Sequence, residues 1–279
     1  MSERNTMIYS VDLHTHTTAS DGQYTPAELV RLAKQRGIQV LAVTDHDTIA
    51  GVDEAMSAGE ALGLRVIRGV ELSAIEYGNF HVLGYGFRVG DTELARLCEK
   101  LKKGRDDRKY KIIDFLREKG MDIDLAEVEE LAGGGAIGRP HFARVLVKHG
   151  YVSTNREAFD RYLDTVEFWR KADRYKADSH TCIEAIKSAG GRVSLAHPYQ
   201  MELPDDKLEA LVARLKDWGL DAIECYYPRY TPAQQAFYLH LAEKYRLHQT
   251  GGSDFHGEKV KPGIGLASLQ LDLAWLMEG

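Results

Sequence analysis

Cysteine is scarce in this 279-residue chain. Cys98, Cys182 and Cys225 lie far apart and form no C-x-x-C pair. That spacing excludes a paired-cysteine motif and predicts a reduced, cytoplasmic setting. Long apolar runs are also missing. The N-terminus carries no signal-like stretch, and no segment is long enough to cross a bilayer, so the expectation is a protein with no membrane association. Positive charge is not in excess: 36 Lys and Arg stand against 42 Asp and Glu, a formal net charge of -6. A general binder of duplex nucleic acid would be basic, although a local basic pocket remains compatible with this balance. No internal repeat or low-complexity tract is present, and nothing points to a protein partner. What the chain does have is a 44% hydrophobic content, enough for a sizeable core, and eleven histidines. Its length allows one large domain, or a domain with an inserted partner.

Short strand-like runs alternate with helical ones. "IYSVDLHT" reads as a strand. "TPAELVRLAKQRG" reads as a helix, with Thr25 as N-cap, Pro26 in the first turn and Gly37 at its close. "VLAVTDHD" and "GVDEAMSAGEALG" repeat the pair. "LRVIRGVELSA" and "FHVLGYGF" pair as strands around Tyr77-Gly78-Asn79. "GRVSLAHP", "LDAIECYYP" and "RLHQTGGSDFHG" each follow a helical stretch. About seven strands in mostly β-α order predict an α/β fold with a mainly parallel sheet or barrel. Residues 92–170 break this order, with helical periodicity and no convincing strand. They read as a helical insertion between barrel segments 1–91 and 171–279. Within it, "DTELARLCEKLKKGRDDRKYKIIDFLREKG" is one long amphipathic helix or two abutting ones.

The unusual residues fall at strand ends. In a strand, alternate residues share a face, so Asp12, His14 and His16 point one way, and Val11 and Leu13 the other. The carboxyl ends of parallel strands are where α/β proteins build their sites. "VLAVTDHD" ends in Asp45, His46 and Asp47; "VIRGVELS" carries Glu71; "FHVLGYG" carries His81; "VSLAHP" ends in His197; "TGGSDFHG" supplies Asp254 and His256. With Asp21, nine imidazole and carboxylate groups form the candidate ligand set: His14, His16, Asp21, His46, Glu71, His81, His197, Asp254 and His256. A mononuclear catalytic site needs three or four protein ligands. Nine suit two or three divalent ions with a bridging carboxylate. Ligation by His and carboxylate without thiolate points to Mn, Fe, Zn or Mg, not to copper or an iron–sulfur centre. Closely spaced divalent ions activate water and clamp phosphate oxygens, so phosphoester hydrolysis is the expected chemistry.

"DLHTHTTASDG", "AVTDHDT", "GVELS", "FHVLGYG", "LAHP" and "GGSDFHG" resemble the successive motifs of the PHP (polymerase and histidinol phosphatase) family, in the right order and across nearly the whole chain. The resemblance implies a distorted (β/α)7 barrel with a metal cluster at its mouth. It implies one ion on His14, His16, Glu71 and Asp254, a second on Asp21, His46 and His256, and a third on His81, His197 and a shared Glu71. Some relatives carry histidine where this chain has Asp21. A carboxylate there is harder and favours Mn²⁺ over Zn²⁺. The pattern resembles the branch of phosphoesterases acting on nucleoside 3′,5′-bisphosphates, whose close relatives trim short RNA from the 5′ end. The family's replicative-polymerase role is not expected of 279 residues.

The insertion resembles the same branch. In "LKKGRDDRKYKI", Arg105 and Arg108 stand three apart on one helix face. In "GRPHFARVLV", Pro140 opens a helix, and Arg139 and His141 beside its N-terminus make an anion pocket. "ADRYKADS" adds Arg174 and Lys176. "DTVEFWRKADRY" departs from the family pattern by lacking a glycine-containing turn. Tyr226 and Tyr227 lie at another strand end, where they either stack on a base or serve packing. The mechanism these resemblances imply is in-line attack on phosphorus by a metal-bound hydroxide. Arg139 and His141 hold a second phosphate, and Asp12, Asp45 and Asp47 orient the ligand histidines. The competing readings are a 5′-3′ exonuclease on short 5′-phosphorylated RNA, a histidinol phosphatase, and a metal-holding nucleotide sensor without turnover.

Overall fold

The computed structural model describes residues 7–90, 92–132 and 137–277. Contacts divide the chain into two units, Met1–Glu99 with Ala177–Gly279, and Lys100–Lys176.

The first unit holds eight strands among the described residues: β1 Ile8–Asp12, β2 Val40–Val43, β3 Arg65–Ser73, β4 His81–Tyr85, β5 Arg192–Leu195, β6 Ala222–Tyr226, β7 His248–Gly251 and β8 Leu269–Asp272. They lie in the order β7-β6-β5-β4-β3-β2-β1-β8. Neighbours run parallel except where β4 meets β3 and β5 and where β8 meets β1. The sheet curls until its ends nearly meet. Beyond β1 and β7 the chain pairs Thr15 with Phe255, and the N–H of Asp254 donates to the carbonyl of His14 at 2.8 Å. The eighth strand was not foreseen: "LQLD" alternates apolar and polar residues, but at four residues, with only Leu271 buried, the signal is short.

The helices of this unit follow from local signals. Helix α1 (Pro26–Gln35) starts at Thr25, whose side chain accepts from the Glu28 N–H while Glu28 caps Thr25 in return. Helix α2 (Val52–Leu62) ends at Gly63 in the left-handed region, φ 62°. Strand β2 is buried on both faces. Its Val40 and Ala42 belong to the cluster with Val11, Leu13 and Tyr85, while Leu41 and Val43 pack with Leu29, Val30 and Ala33 of α1. This two-sided burial is why β2 reads as a continuous apolar run.

Helix α3 (Glu93–Glu118) is a single helix of 26 residues, so the two-helix alternative does not apply. Its later turns belong to the second unit, with α4 (Leu125–Ala132), α5 (Arg139–Lys148), α6 (Asn155–Ala158), a π-helical turn at Phe159–Leu163 and α7 (Val166–Ala172). Ile112, Phe115, Leu116, Phe142, Leu146, Leu163 and Phe168 form this unit's own core. The first unit is completed by α8 (Ser179–Ser188), α9 (Asp205–Asp217), α10 (Pro232–Lys244) and α11 (Ala274–Met277).

Candidate metal centre

The ligand candidates gather at one rim because the backbone ladder continues past each strand end. His46 bridges to Glu71, and the Thr44 N–H donates to Thr15 at 2.8 Å. Strand β4 runs against its neighbours, so its first residue, His81, lies opposite Ser73 at the same end as the carboxyl ends of the parallel strands. Close backbone approach is required beside β7. A Cβ on Gly252 would lie 2.4 Å from the Cβ of His14, so only glycine fits there. Asp254 itself sits at φ 55° and His197 at φ 20°, conformations that the surrounding structure must hold in place.

Glu71 stands at the centre and is fully buried. Its Oε2 lies 3.2 Å from His14 Nε2, 3.2 Å from His16 Nε2 and 2.9 Å from His46 Nδ1. Its Oε1 lies 2.7 Å from His81 Nδ1 and 2.9 Å from His197 Nε2. Burial alone would raise this carboxyl's pKa, but the surrounding imidazoles, His46 first, hold it well below the usual range. Asp254 follows the same logic, with His16 and His14 outweighing burial. Asp21 is more open. It lies 3.4 Å from His256 and about as near His16 and His46, and those rings keep it ionised despite its enclosure.

All nine candidates come together in four overlapping groups: His16, Asp21, His46 and His256; His14, Glu71 and His197; His14, His16 and Asp254; and His46, Glu71 and His81. Within each group the donor atoms lie within 4.8 Å of one another. Six buried atoms here lack a hydrogen-bond partner: His14 Nε2, both His16 ring nitrogens, His46 Nδ1, Glu71 Oε2 and His197 Nδ1. Buried polar atoms left unpaired in a native fold cost stability, unless a bound ion takes the lone pairs. The donor set therefore fits divalent metal. Bound there, the ions would supply Lewis acidity and charge neutralisation for phosphoester cleavage.

Asp12, Asp45 and Asp47 lie beside the ligand candidates and tie down the backbone around them. The contacts seen for Asp12 and Asp45 are with main chain and hydroxyls, including the His14 N–H on Asp12 at 3.3 Å. Asp12 accepts from the N–H groups of Ser253 and Ala267 at 2.9 and 2.8 Å. Asp45 accepts from Thr17 N–H at 2.8 Å and Ser20 Oγ at 2.6 Å, which fixes the loop leading to Asp21. Asp47 accepts from Ser73 N–H at 2.8 Å. The ring-orienting carboxylate is Glu224, which sequence reading missed. It lies 3.1 Å from His14 Nδ1 and is buried on β6. The available signal was an acid in the apolar run "AIECY", on a strand whose other residues had every reason to be buried.

Of the two readings for the tyrosines, packing describes Tyr227. Tyr227 is 7% exposed, packs on Tyr199 and Tyr230, and donates to Asp254 at 3.0 Å. Tyr226 donates to Gln249 at 3.0 Å. The Tyr227 ring is occupied by packing, while Tyr226 is half-buried against the cluster of Val11 and Leu13.

In the second unit the basic candidates converge on Trp169, which sequence reading also missed. The guanidinium carbons of Arg139 and Arg108 lie 4.6 and 4.9 Å from its ring centre, and Lys176 Nζ 6.0 Å. Arg139 donates to Leu163 O at 3.1 Å and pairs with Asp164. Arg108 donates to Ala172 O at 3.0 Å, and its buried Nη2 has no partner among the described residues. Burial, then the positive charges of Arg139, Arg174 and Arg105, push the Arg108 guanidinium down to about 10. His141 accepts from Gly138 N–H at its Nδ1, 3.0 Å, which places the ring proton on Nε2 in the neutral imidazole. This concentration of positive charge suits an oxyanion.

Known proteins give the same picture. The PHP domain family matches residues 12–176. The chain is 37% identical to a 5′-3′ exoribonuclease of Haemophilus influenzae, covering 90% of this chain and 91% of that one. It is 34% identical to a phosphoribosyl 1,2-cyclic phosphate 1,2-diphosphodiesterase of Eggerthella lenta, covering 88% and 94%. It is 30% identical to a 3′,5′-nucleoside bisphosphate phosphatase of Chromobacterium violaceum, covering 92% and 89%. A crystal structure from Bifidobacterium adolescentis, described as a metal-dependent phosphoesterase, superposes with a TM-score of 0.77 at 32% identity, covering 96% and 94%. The fold, the converging imidazoles and these relatives agree: the chain belongs to the PHP family and is a metal-dependent phosphoesterase, a hydrolase.

Proposed function

We propose that the chain hydrolyses the 3′-phosphate of nucleoside 3′,5′-bisphosphates, with two or three manganese ions at the barrel mouth. The reading is supported by the nine convergent donor residues in the barrel unit and by the likeness to a 3′,5′-nucleoside bisphosphate phosphatase; in the insertion, Arg139 and Arg108 gather on Trp169. The four overlapping donor groups, with Glu71, His14, His16 and His46 each shared by two, favour more than one ion. Three carboxylates and no thiolate favour manganese.

In this reading His14, His16, Asp21, His46, Glu71, His81, His197, Asp254 and His256 hold the metal. Arg139 grips the non-reacting phosphate through its fork, and His141 donates from Nε2. Arg108, Arg105, Arg174 and Lys176 add positive charge that a lone monophosphate would not need.

Kinetics of an Arg139→Ala variant test the substrate. The Michaelis constant for adenosine 3′,5′-bisphosphate should rise by about tenfold or more, the worth of a charge-assisted contact, while that for an aryl phosphate stays level. An equal rise for both substrates would refute the pocket. A second reading, 5′-3′ removal of nucleotides from short RNA, draws on the Haemophilus relative. It predicts that a 5′-phosphorylated oligomer is shortened one nucleotide at a time, faster than the bisphosphate is hydrolysed.

A further inference from the structure

Asp254 presents its two oxygens to different surroundings. Oδ1 lies among imidazoles, 3.3 Å from His16 Nε2, 3.3 Å from His256 Nδ1 and 3.8 Å from His14 Nε2. Oδ2 accepts from the Tyr227 hydroxyl at 3.0 Å and is ion-paired with the Lys261 ammonium. The ammonium also lies 3.3 Å from the Tyr227 oxygen.

The two donors to Oδ2 differ in reach. Tyr227 is enclosed by Tyr199 and Tyr230 and cannot leave its place. Lys261 has a flexible four-carbon stem, a side chain 23% exposed, and a position on the segment that follows Asp254 and His256. Tyr227 alone can keep Asp254 oriented while Lys261 turns to another anion.

We propose that Lys261 is a substrate-contacting residue of the phosphoester reaction, its ammonium donating to a non-bridging oxygen of the phosphoryl group held at the barrel mouth. Charge spreads over the equatorial oxygens during phosphoryl transfer, and a compact cation beside them stabilises it. The pairing with Asp254 stores that cation beside the ligands until phosphate arrives. This inference rests on the barrel mouth as the phosphoester site and is independent of which nucleotide is cleaved.

The test uses manganese-loaded wild-type protein, Lys261→Met and Lys261→Arg. Bound manganese, equilibrium binding of inorganic phosphate and turnover of an aryl phosphate are measured on each. The methionine variant should keep its manganese and bind phosphate about 10- to 100-fold more weakly, the range for a hydrogen bond to a charged group. The arginine variant should recover most of that loss. Unchanged phosphate affinity in Lys261→Met overturns the contact. Loss of manganese in that variant also overturns it, because the lysine would then act only through Asp254. An arginine variant as weak as the methionine one counts against charge as the cause. Failure of the wild type itself to hold manganese would instead sink the barrel-mouth reading.

Discussion

His14 Nδ1 lies 3.1 Å from Oε1 of Glu224, and both side chains are buried. A carboxylate only accepts, so Nδ1 carries the proton and Nε2 is turned toward Glu71. The other Glu224 oxygen accepts the His197 N–H at 2.6 Å. One carboxylate thus fixes the ring of one ligand and the backbone of another. In Glu224→Gln a single amide oxygen must replace both acceptors. Manganese affinity should fall by about 10- to 100-fold, the usual effect of removing such support, with far-ultraviolet circular dichroism unchanged. Titration of metal into both proteins checks this; equal affinities would remove Glu224 from the site.

Metal binding should release protons. Burial alone would lower the His14 imidazole, but Glu71 and Glu224 outweigh it and hold it well above the ordinary 6.5. The metal-free fold therefore keeps His14 protonated at neutral pH, and an ion must displace that proton. Affinity rises with pH until His14 is neutral in the metal-free protein. The stability term has the opposite sign. In the metal-free fold His14 contributes fully below 6.5 and loses its contribution as pH climbs through the raised value. Calorimetric titrations in two buffers of different ionisation heat should show at least one proton released; identical heats would contradict the coupling.

The thiols should be inert. Cys98, Cys182 and Cys225 are buried, and burial raises all three, Cys98 and Cys225 to about 12. At pH 8 an aromatic disulfide reagent should label none of them in the folded protein and all three after denaturation. Fast labelling of the native chain, or loss of activity with it, would show a thiol at the surface.

The metal centre was legible because its ligands are sparse residue types at predictable places. Histidine at the ends of apolar runs is hard to explain otherwise, and each such run became a strand whose end reaches the rim. Burial patterns carried no comparable signal for the support. Asp12, Asp45 and Asp47 resemble ligands in sequence, yet the contacts seen for them are with backbone and hydroxyls, whereas Asp254 of the same side-chain length reaches the rings. Glu224 lies 210 residues from His14, and pairing at that range is set by register. The curl of the sheet brings β6 beside the β1 end, and no local pattern reports it. The "DTVEFWRKADRY" stretch was read as a departure from the family; the structure shows Trp169 there as the surface on which the arginines stack.

Anomalous diffraction from crystals grown with Mn²⁺ is the most direct test of the convergent site. Peaks should appear at the barrel mouth, with Glu71 coordinating more than one ion and the imidazoles of His14, His16, His46, His81, His197 and His256 around them. A mouth without anomalous signal at saturating manganese, or ions bound elsewhere on the chain, would contradict it.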